Sequence, residues 1–225
     1  MQHDWLQWSK RTRSSPQQII TTMTQTPSTP ATPLRDIREV KPLSFIFEKQ
    51  RALPLDICRE MIRRFEASED EQYPGRIGQT VQEDQSIKRS TDLVVSGKEH
   101  WKDLDRELFR SLGLAIQEFR EAFPFFRGPF KDSGYAIQRT NPDEFYHWHI
   151  DGGSHEFSQR QLVAVWYLND VPGPGGETEF SYQDVQIRPE AGKLLLFPPF
   201  WTHEHRGATL QEGVKYIATT WVVFA

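Results

Sequence analysis

The stretch FYHWHIDGG, residues 145–153, places two histidines and an aspartate at alternate positions. In a β-strand, alternate side chains project from the same face, so a histidine and a carboxylate two residues apart can bind one cation side by side. His149 and Asp151 have this spacing. A second histidine from a neighbouring strand would complete a set of two histidines and one carboxylate. Such a set holds a divalent iron and leaves positions open for a co-substrate and dioxygen.

Two histidines near the C-terminus, His203 and His205, are candidates for the third ligand, and spacing alone leaves both open. The alternative for His149 and Asp151 is a polar pair on the surface. His147 has the same strand parity as His149, so a register shift would exchange the two. The position of Asp151 favours His149, and we expect His147 to lie behind the ligands or to line the cleft.

The composition restricts the class of protein. At 225 residues the chain suits one domain with an appendage. A net charge of −4 gives no electrostatic basis for gripping a nucleic-acid backbone, and no apolar run of about 18 residues indicates a membrane span. The single cysteine, Cys58, excludes an intramolecular disulfide and fits a reducing compartment. We therefore expect a cytoplasmic protein without nucleic-acid or membrane partners, and its oligomeric state stays open.

The first 42 residues differ in character from the rest. No acid occurs between Trp5 and Arg35, and the segment is rich in Ser, Thr, Gln and Pro. Such a segment buries too little apolar surface to offset its ordering entropy, so we predict a disordered tail over residues 1–42 and a folded domain over residues 43–225. Its basic residues weakly resemble an organellar transit peptide. A plain flexible tail, or a native start at Met23, are the alternatives.

The folded part divides into helices followed by strands. Helical spacing of apolar residues predicts helices within residues 53–68 and 99–123, and a polar loop lies between them. We expect part of this loop, residues 74–92, to cover the substrate. After Pro129, short β-rich runs alternate with turn residues, which indicates an α+β domain with a sandwich or jelly-roll barrel. These runs are residues 133–139, 144–150, 161–169, 178–182, 185–189, 192–199 and 215–224.

Five motifs follow one another along the second half of the chain: YHWHID, WYLND, GPGGETEF, GKLLLFPP and HRGATLQEGVKYIATTW. Through these motifs, and over about residues 45–225, the chain resembles the iron(II)- and 2-oxoglutarate-dependent oxygenases, in their prolyl-4-hydroxylase-like branch. The resemblance implies an α+β fold with a double-stranded β-helix (jelly-roll) core and supporting N-terminal helices.

The resemblance also assigns roles to single residues. His149, Asp151 and His205 match the iron ligands, and Tyr146 matches a tyrosine that precedes the first histidine by three positions. His205 is preferred to His203 because the family's basic residue follows the distal ligand by roughly ten positions, where Lys215 stands. Lys215 is then the anchor for the distal carboxylate of 2-oxoglutarate.

Three further residues are candidate co-substrate contacts. The resemblance places Tyr167, at the end of the WYL strand, near the distal carboxylate of 2-oxoglutarate. Thr219 shares a strand face with Lys215 and is a minor candidate. Many family members have a tyrosine at the position of Thr140, so this contact is either missing or supplied by Tyr135, whose alternative role is a core tyrosine.

The resemblance implies Fe(II), 2-oxoglutarate and dioxygen as cofactor and co-substrates, with ascorbate as a further candidate. The expected reaction hydroxylates a C–H bond and releases succinate and CO2. The expected substrate is a prolyl residue in a peptide or a small amino-acid-like molecule, and relatives place a substrate-facing basic residue at the position of Arg89, whose alternative is a solvated arginine. The alternative function is a non-catalytic, cupin-like metal- or ligand-binding or sensing protein.

Overall fold

A computed structural model describes residues 36–78 and 82–225. Most of the predicted tail, residues 1–35, lies outside the described residues, so its disorder stays a prediction. The two main helices are α1 (Leu55–Glu66) and α2 (Lys102–Ala122). The strands are β1 (Ile37–Glu39), β2 (Phe47–Lys49), β3 (Tyr73–Pro74), β4 (Thr91–Val94), β5 (Phe130–Asp132), β6 (Ala136–Thr140), β7 (Tyr146–His149), β8 (Arg160–Tyr167), β9 (Thr178–Phe180), β10 (Val185–Ile187), β11 (Leu194–Phe197), β12 (His205–Gly207) and β13 (Lys215–Phe224).

The strands form two antiparallel sheets. The larger sheet has nine strands in the order β1-β2-β11-β8-β13-β6-β4-β3, with β5 paired to β13. The smaller sheet has four strands in the order β10-β9-β12-β7. Every pairing within these sheets is antiparallel, and the fold is therefore mostly antiparallel sheet with few helices.

The larger sheet is buried on both faces. Along β8, Ala164 and Trp166 pack in the cluster that contains the helices, whereas Val163 and Val165 pack in a second cluster with residues of the smaller sheet, such as Phe180. Burial on both faces explains why this strand reads as an almost continuous apolar run and not as an alternation. The smaller sheet lies against the face that is turned away from the helices.

The helices occur where apolar spacing predicts them. Cys58, Met61 and Phe65 form the buried face of α1, and Pro54 stands immediately before its first turn. Cys58 is therefore a core residue of a helix, as expected. Among the described residues, no helix combines the length and apolarity needed to cross a bilayer.

A strand of the larger sheet lies ahead of the predicted domain boundary at residue 43. β1 lies ahead of Leu43 and pairs with β2, and the backbone N–H of Ile37 donates to Glu118 Oε2 at 3.0 Å. The boundary at residue 43 is therefore too late. β1 is too short and polar to be recognised locally, because its stability comes from β2 and from a carboxylate on α2.

Candidate metal and co-substrate site

The three predicted metal ligands meet at one place. His149 ends β7 and His205 begins β12, and these two residues are direct partners across the smaller sheet. Asp151 follows β7 by two residues, and His205 Nε2 lies 3.2 Å from its Oδ2. One ligand atom from each of the three residues lies within 4.8 Å of the other two. The structure therefore brings together His149, Asp151 and His205, as the sequence predicts.

Backbone carbonyls fix how both imidazoles are protonated. His149 Nδ1 lies 2.7 Å from the carbonyl oxygen of His147, and His205 Nδ1 lies 2.9 Å from that of His203. A carbonyl only accepts hydrogen bonds, so each Nδ1 carries a hydrogen and Nε2 is the nitrogen that each imidazole would offer to a metal. The Nε2 atom of His205 lies beside an oxygen of Asp151, so a cation bound between them would contact both. This donor set fits a divalent first-row metal.

The charge states of the ligands also suit a metal. Burial lowers the pKa of His149 to about 3, with a further contribution from His205, so its imidazole stays neutral. Burial opposes ionisation of Asp151, but His205, His149 and Arg160 outweigh it and hold the pKa of Asp151 well below its ordinary value. One buried carboxylate with two imidazoles is the ligand set expected for Fe(II).

A β-bulge decides which side chains of β7 face the site. Residues 205 and 207 of β12 pair with residues 149 and 146 of β7. Strand β7 therefore contains one extra residue between these two pairs, which is a β-bulge. As a result Tyr146 and His149 share a face, and their rings stack with centroids 3.5 Å apart. The side chain of His147 is exposed and does not line the cavity beside the three ligands. Its backbone carbonyl accepts a hydrogen bond from His149 Nδ1. The side chain of His147 therefore does not line the cleft, because the bulge breaks strict alternation, and only its backbone carbonyl lies behind a ligand.

His203 and His155 lie apart from the three clustered groups. His203 is 4% exposed and its Nε2 lies 2.9 Å from the carbonyl oxygen of Ser44, so it ties the segment before β12 to the segment before β2. His155 is exposed in the loop after Asp151 and does not contribute to the cavity wall. The geometry agrees with the choice of His205 over His203.

A cavity of about 230 Å³ adjoins the three ligands. Residues of both sheets line it, together with two parts of the loop that is predicted to cover the substrate (the lid, residues 74–92), namely residues 76–78 and 88–90. Apolar side chains form one side of it, and the residues concerned are Val163, Val165, Phe197, Ile217 and Trp221.

Lys215 places a buried ammonium group in this cavity. The residue is 5% exposed, and its Nζ donates to the carbonyl oxygen of Gly176 at 3.0 Å. Among residues 36–78 and 82–225, no carboxylate lies within 4.0 Å of this nitrogen. Burial lowers the pKa of Lys215 to about 8. A cation without an acidic partner is costly to bury, so the position fits the distal carboxylate of 2-oxoglutarate.

The GPGG turn brings the carbonyl of Gly176 to Lys215. Gly175 has φ +85°, and a Cβ at this position would lie 2.0 Å from the carbonyl oxygen of Thr209. Gly176 also has a positive φ, of +83°. Both glycines are required by the backbone conformation, and Gly175 is additionally required by the close approach of the next segment.

The secondary co-substrate candidates divide between the cavity and the core. Thr219 and Thr140 both line the cavity, and Thr140 is the strand partner of Lys215. Tyr135 does not: it is 2% exposed and packs on Trp166 in the cluster with the helices. The role of Tyr135 in co-substrate binding is therefore corrected to that of a core residue, because it has the parity of the helix-facing side chains on β6.

Tyr167 does not line the cavity, but it contacts a residue that does. Its side chain is fully buried and its hydroxyl donates to Thr178 Oγ1 at 2.7 Å, while Thr178 itself lines the cavity. Tyr167 therefore acts on the cavity through Thr178 and not directly. Thr178 and Arg160 were not predicted from the sequence as residues of the cavity wall. Side-chain alternation along the strand TEF, residues 178–180, would have indicated Thr178, whereas no local pattern indicates Arg160.

Comparison with known proteins agrees with this geometry. Residues 135–223 match the family model of the 2OG-Fe(II) oxygenase superfamily. A PKHD-type hydroxylase of Synechococcus sp. (strain CC9902) is 27% identical over 89 residues, which are 38% of this chain and 39% of the relative. The match thus spans well under half the length of that relative.

Solved prolyl hydroxylases share the fold. A viral collagen prolyl hydroxylase from Paramecium bursaria Chlorella virus-1 superposes with a TM-score of 0.60 at 17% identity, over 80% of this chain and 96% of that one. A Trichoplax adhaerens prolyl hydroxylase, solved with a hypoxia inducible factor peptide fragment, gives 0.69 at 14% identity, over 80% and 84%. A Pseudomonas putida prolyl-4-hydroxylase gives 0.62 at 20% identity, over 80% and 92%. The residues that match the 2OG-Fe(II) oxygenase superfamily model, 135–223, contain the three clustered ligands and Lys215, so the similarity covers the part of the chain that forms the site.

Proposed function

We propose that this chain is an Fe(II)- and 2-oxoglutarate-dependent dioxygenase that hydroxylates a C–H bond. The observation that carries the proposal is the position of three convergent ligand atoms beside a cavity that also contains Lys215. His149, Asp151 and His205 would hold the metal, and Lys215 would anchor the distal carboxylate of 2-oxoglutarate. These two requirements are independent, and one cavity meets both.

The strand order supports a double-stranded β-helix, or jelly roll, as the core. From β6 to β13 the chain passes between the sheets, with β6, β8, β11 and β13 in the larger and β7, β9, β10 and β12 in the smaller. His149 and His205 lie on the smaller sheet and Lys215 lies on the larger one. We propose that residues 43–225, extended by β1, constitute one oxygenase domain.

When bound, Fe(II) supplies the oxidising chemistry with dioxygen, and 2-oxoglutarate is converted to succinate and CO2. The chain's own residues prepare this chemistry. The carbonyls of residues 147 and 203 keep both imidazoles in the tautomer that presents Nε2, and Tyr146 stacks on His149 and limits its rotation. The apolar wall excludes water from the space beside the ligands. Ascorbate is retained as a candidate reductant.

The proposed substrate is a prolyl residue in a peptide or a small amino-acid-like molecule. Support comes from the structural neighbours, which are named as prolyl hydroxylases, one of them with a bound peptide fragment. The second candidate function, a non-catalytic metal- or ligand-binding protein, would use the same ligands without turnover. Measurement of turnover separates the two.

The test begins with anaerobic protein, Fe(II) and 2-oxoglutarate, followed by visible spectroscopy, admission of air and assay of succinate. We expect a charge-transfer band and then succinate, and we expect Asp151→Ala to lose both. His155→Ala is the matched control, because this histidine is exposed and outside the cavity. A band without succinate would favour the non-catalytic candidate, and absence of both in the wild-type protein would refute the proposal.

Comparison of two alanine variants tests the third ligand. We expect His205→Ala to lose the band, because it removes a ligand. We expect His203→Ala to keep metal binding but to lose about 1–3 kcal/mol of stability, because the carbonyl of Ser44 loses its buried partner. If only His203→Ala abolishes iron binding, the assignment of His205 is wrong.

A further inference from the structure

The wall of the cavity is basic although the chain as a whole is acidic. The chain has 31 acidic residues against 27 lysines and arginines. In the described part of the wall, by contrast, Asp151 is the only acid. The basic residues in the wall are Arg76, Lys88, Arg89, Arg160 and Lys215. The excess of positive charge is confined to the cavity wall, and such a wall attracts negatively charged ligands.

Three of these cations have a counter-charge or a proposed one. Lys88 Nζ lies 2.6 Å from Asp92 Oδ2, and both side chains are buried. Arg76 Nε lies 3.8 Å from Glu83 Oε1 at the exposed rim. The third, Lys215, is assigned to the distal carboxylate of 2-oxoglutarate. This leaves the guanidinium groups of Arg89 and Arg160.

Arg89 is held at the mouth of the cavity by neutral contacts. Its Nε donates to the carbonyl oxygen of Gln85 at 3.0 Å, and its guanidinium lies 5.2 Å from the centre of the Phe145 ring. The backbone N–H of Arg89 donates to the carbonyl oxygen of Phe145 at 2.8 Å, which fixes the segment against the strand that leads to the ligands. The side chain is exposed and is thus available to a molecule that enters.

Arg160 is held deeper, also by neutral contacts. Its guanidinium lies between the rings of Phe157 and Trp221, at 3.8 Å from each centre. Its Nη1 donates to the backbone carbonyl oxygen of Asp151 at 2.5 Å. Within the part of the chain that the structure describes, neither Arg160 nor Arg89 has a carboxylate oxygen within 4.0 Å.

Binding of Fe(II) and 2-oxoglutarate would not neutralise the charges of Arg89 and Arg160. The charges of Fe(II) and Lys215 together equal those of Asp151 and the 2-oxoglutarate dianion, so both guanidinium charges would remain uncompensated. Each group is pre-organised by its neutral contacts and keeps donors free. A planar guanidinium with free donors suits a carboxylate, which it can bind through two parallel hydrogen bonds.

We propose that the substrate presents a carboxylate to the guanidinium groups of Arg89 and Arg160 in the cavity wall, and that these two groups select acidic substrates over neutral ones of the same shape. This inference rests on the proposed function, because it concerns the substrate of the same site. The carboxylate can belong to an Asp or Glu side chain beside the oxidised residue of a peptide, or it can be the free α-carboxylate of an amino acid. The recognition chemistry is the same in both cases.

Equilibrium dialysis of the full chain tests the proposal without turnover. The protein is loaded with Mn(II) and saturating 2-oxoglutarate, so that Lys215 is already occupied, and is dialysed against two pairs of probe pools. One pair contains capped peptides with a central proline and degenerate flanks, either with Asp and Glu or with Asn and Gln. The other pair contains free amino acids and their amides. Mass spectrometry then quantifies the retained probes.

We expect the acidic pool of at least one pair to be retained about tenfold or more over its neutral counterpart, and the pair concerned identifies the source of the carboxylate. Arg89→Gln should reduce this ratio toward one, and Arg89→Glu should shift peptide retention toward pools that contain Lys and Arg. Arg110→Gln is the matched control, since Arg110 is an exposed arginine on α2 far from the cavity wall. Its ratio should equal that of the wild-type protein.

The outcomes separate this inference from the proposed function. Retention of 2-oxoglutarate is measured in the same dialysis, and its loss in the wild-type protein would count against the proposed function. If 2-oxoglutarate is retained but acidic and neutral pools are retained equally, or neither is retained, the inference is overturned while the proposed function stands. An acid preference that survives Arg89→Glu unchanged also overturns it.

Discussion

At the scale of single residues, Lys215 shows how burial converts an ordinary side chain into a specific one. An exposed lysine would bind a carboxylate weakly, because water solvates both charges. Here the ammonium is 5% exposed and its hydrogen-bond partner is a backbone carbonyl. The unfavourable burial of the charge is relieved only when an anion arrives, so the same feature that lowers the pKa of Lys215 also gives the position its specificity.

This feature predicts how 2-oxoglutarate affinity depends on pH. The pKa of Lys215 is lowered to about 8 in the absence of a ligand, and a bound carboxylate would raise it again. Affinity should therefore be highest below pH 8 and should fall by up to about tenfold per pH unit above it, as the free protein loses the proton. Isothermal titration of the Mn(II)-loaded protein from pH 6.5 to 9.5 measures this dependence.

Lys215→Met supplies the comparison for that titration. The variant should bind 2-oxoglutarate weakly at every pH and should show no step near pH 8, because the titrating group is gone. Its unfolding temperature without ligand should not fall, since a buried unpaired charge has been replaced by an apolar side chain of similar length. A wild-type affinity that is constant from pH 6.5 to 9.5 would contradict the role assigned to Lys215.

At the scale of elements, two local irregularities position the site. The bulge in β7 turns Tyr146 onto His149 and sends His147 outward. The GPGG turn brings the carbonyl of Gly176 within hydrogen-bond distance of Lys215. A regular strand and an ordinary turn would achieve neither arrangement, because side-chain alternation and negative φ angles do not permit them.

The turn can be tested by adding one methyl group. Gly175→Ala combines a φ of +85° with a Cβ that would lie 2.0 Å from the carbonyl oxygen of Thr209. Gly213→Ala is the matched control, because Gly213 has a φ of +80° and no heavy atom within 4 Å of the added Cβ. The control should lose about 1–2 kcal/mol of stability from strain alone.

Gly175→Ala should lose about 1–3 kcal/mol more than the control, because a backbone oxygen must move. It should also bind 2-oxoglutarate more weakly, because Gly176 shifts away from Lys215. Urea unfolding measures the free energy of unfolding of both variants, and titration measures their affinities. Equal losses of stability in the two variants would show that the close contact between residue 175 and the carbonyl oxygen of Thr209 does not affect the free energy of unfolding.

At the scale of the whole molecule, the site joins the two sheets. His149 and His205 belong to the smaller sheet, whereas Lys215 and Thr219 belong to the larger one. The helices pack only on the far face of the larger sheet and leave the cavity open to the lid residues. Ligands bound here would thus contact both sheets, and folding and ligand binding should be coupled.

We therefore expect Mn(II) to raise the unfolding temperature and 2-oxoglutarate to raise it further, each according to its concentration relative to its dissociation constant. Differential scanning fluorimetry measures both shifts. Asp151→Ala should lose the metal-dependent shift, Lys215→Met should lose only the second, and removal of the metal by a chelator should reverse both. If 2-oxoglutarate gives the same shift in Lys215→Met as in the wild-type protein, the anchor is elsewhere.

The sequence by itself predicted the α+β class, both helices and most strands of the two sheets, and its resemblance to a known family singled out His149, Asp151, His205 and Lys215. Periodicity and motif spacing are local or one-dimensional properties, and these features depend on little else. Only the tertiary structure decided that Tyr135 belongs to the core, that Tyr167 acts through Thr178, and that His147 faces outward. It also revealed that the guanidinium groups of Arg89 and Arg160 have no carboxylate partner among residues 36–78 and 82–225. These facts depend on a bulge, on strand parity across a buried sheet and on contacts between distant segments, and no local pattern encodes them.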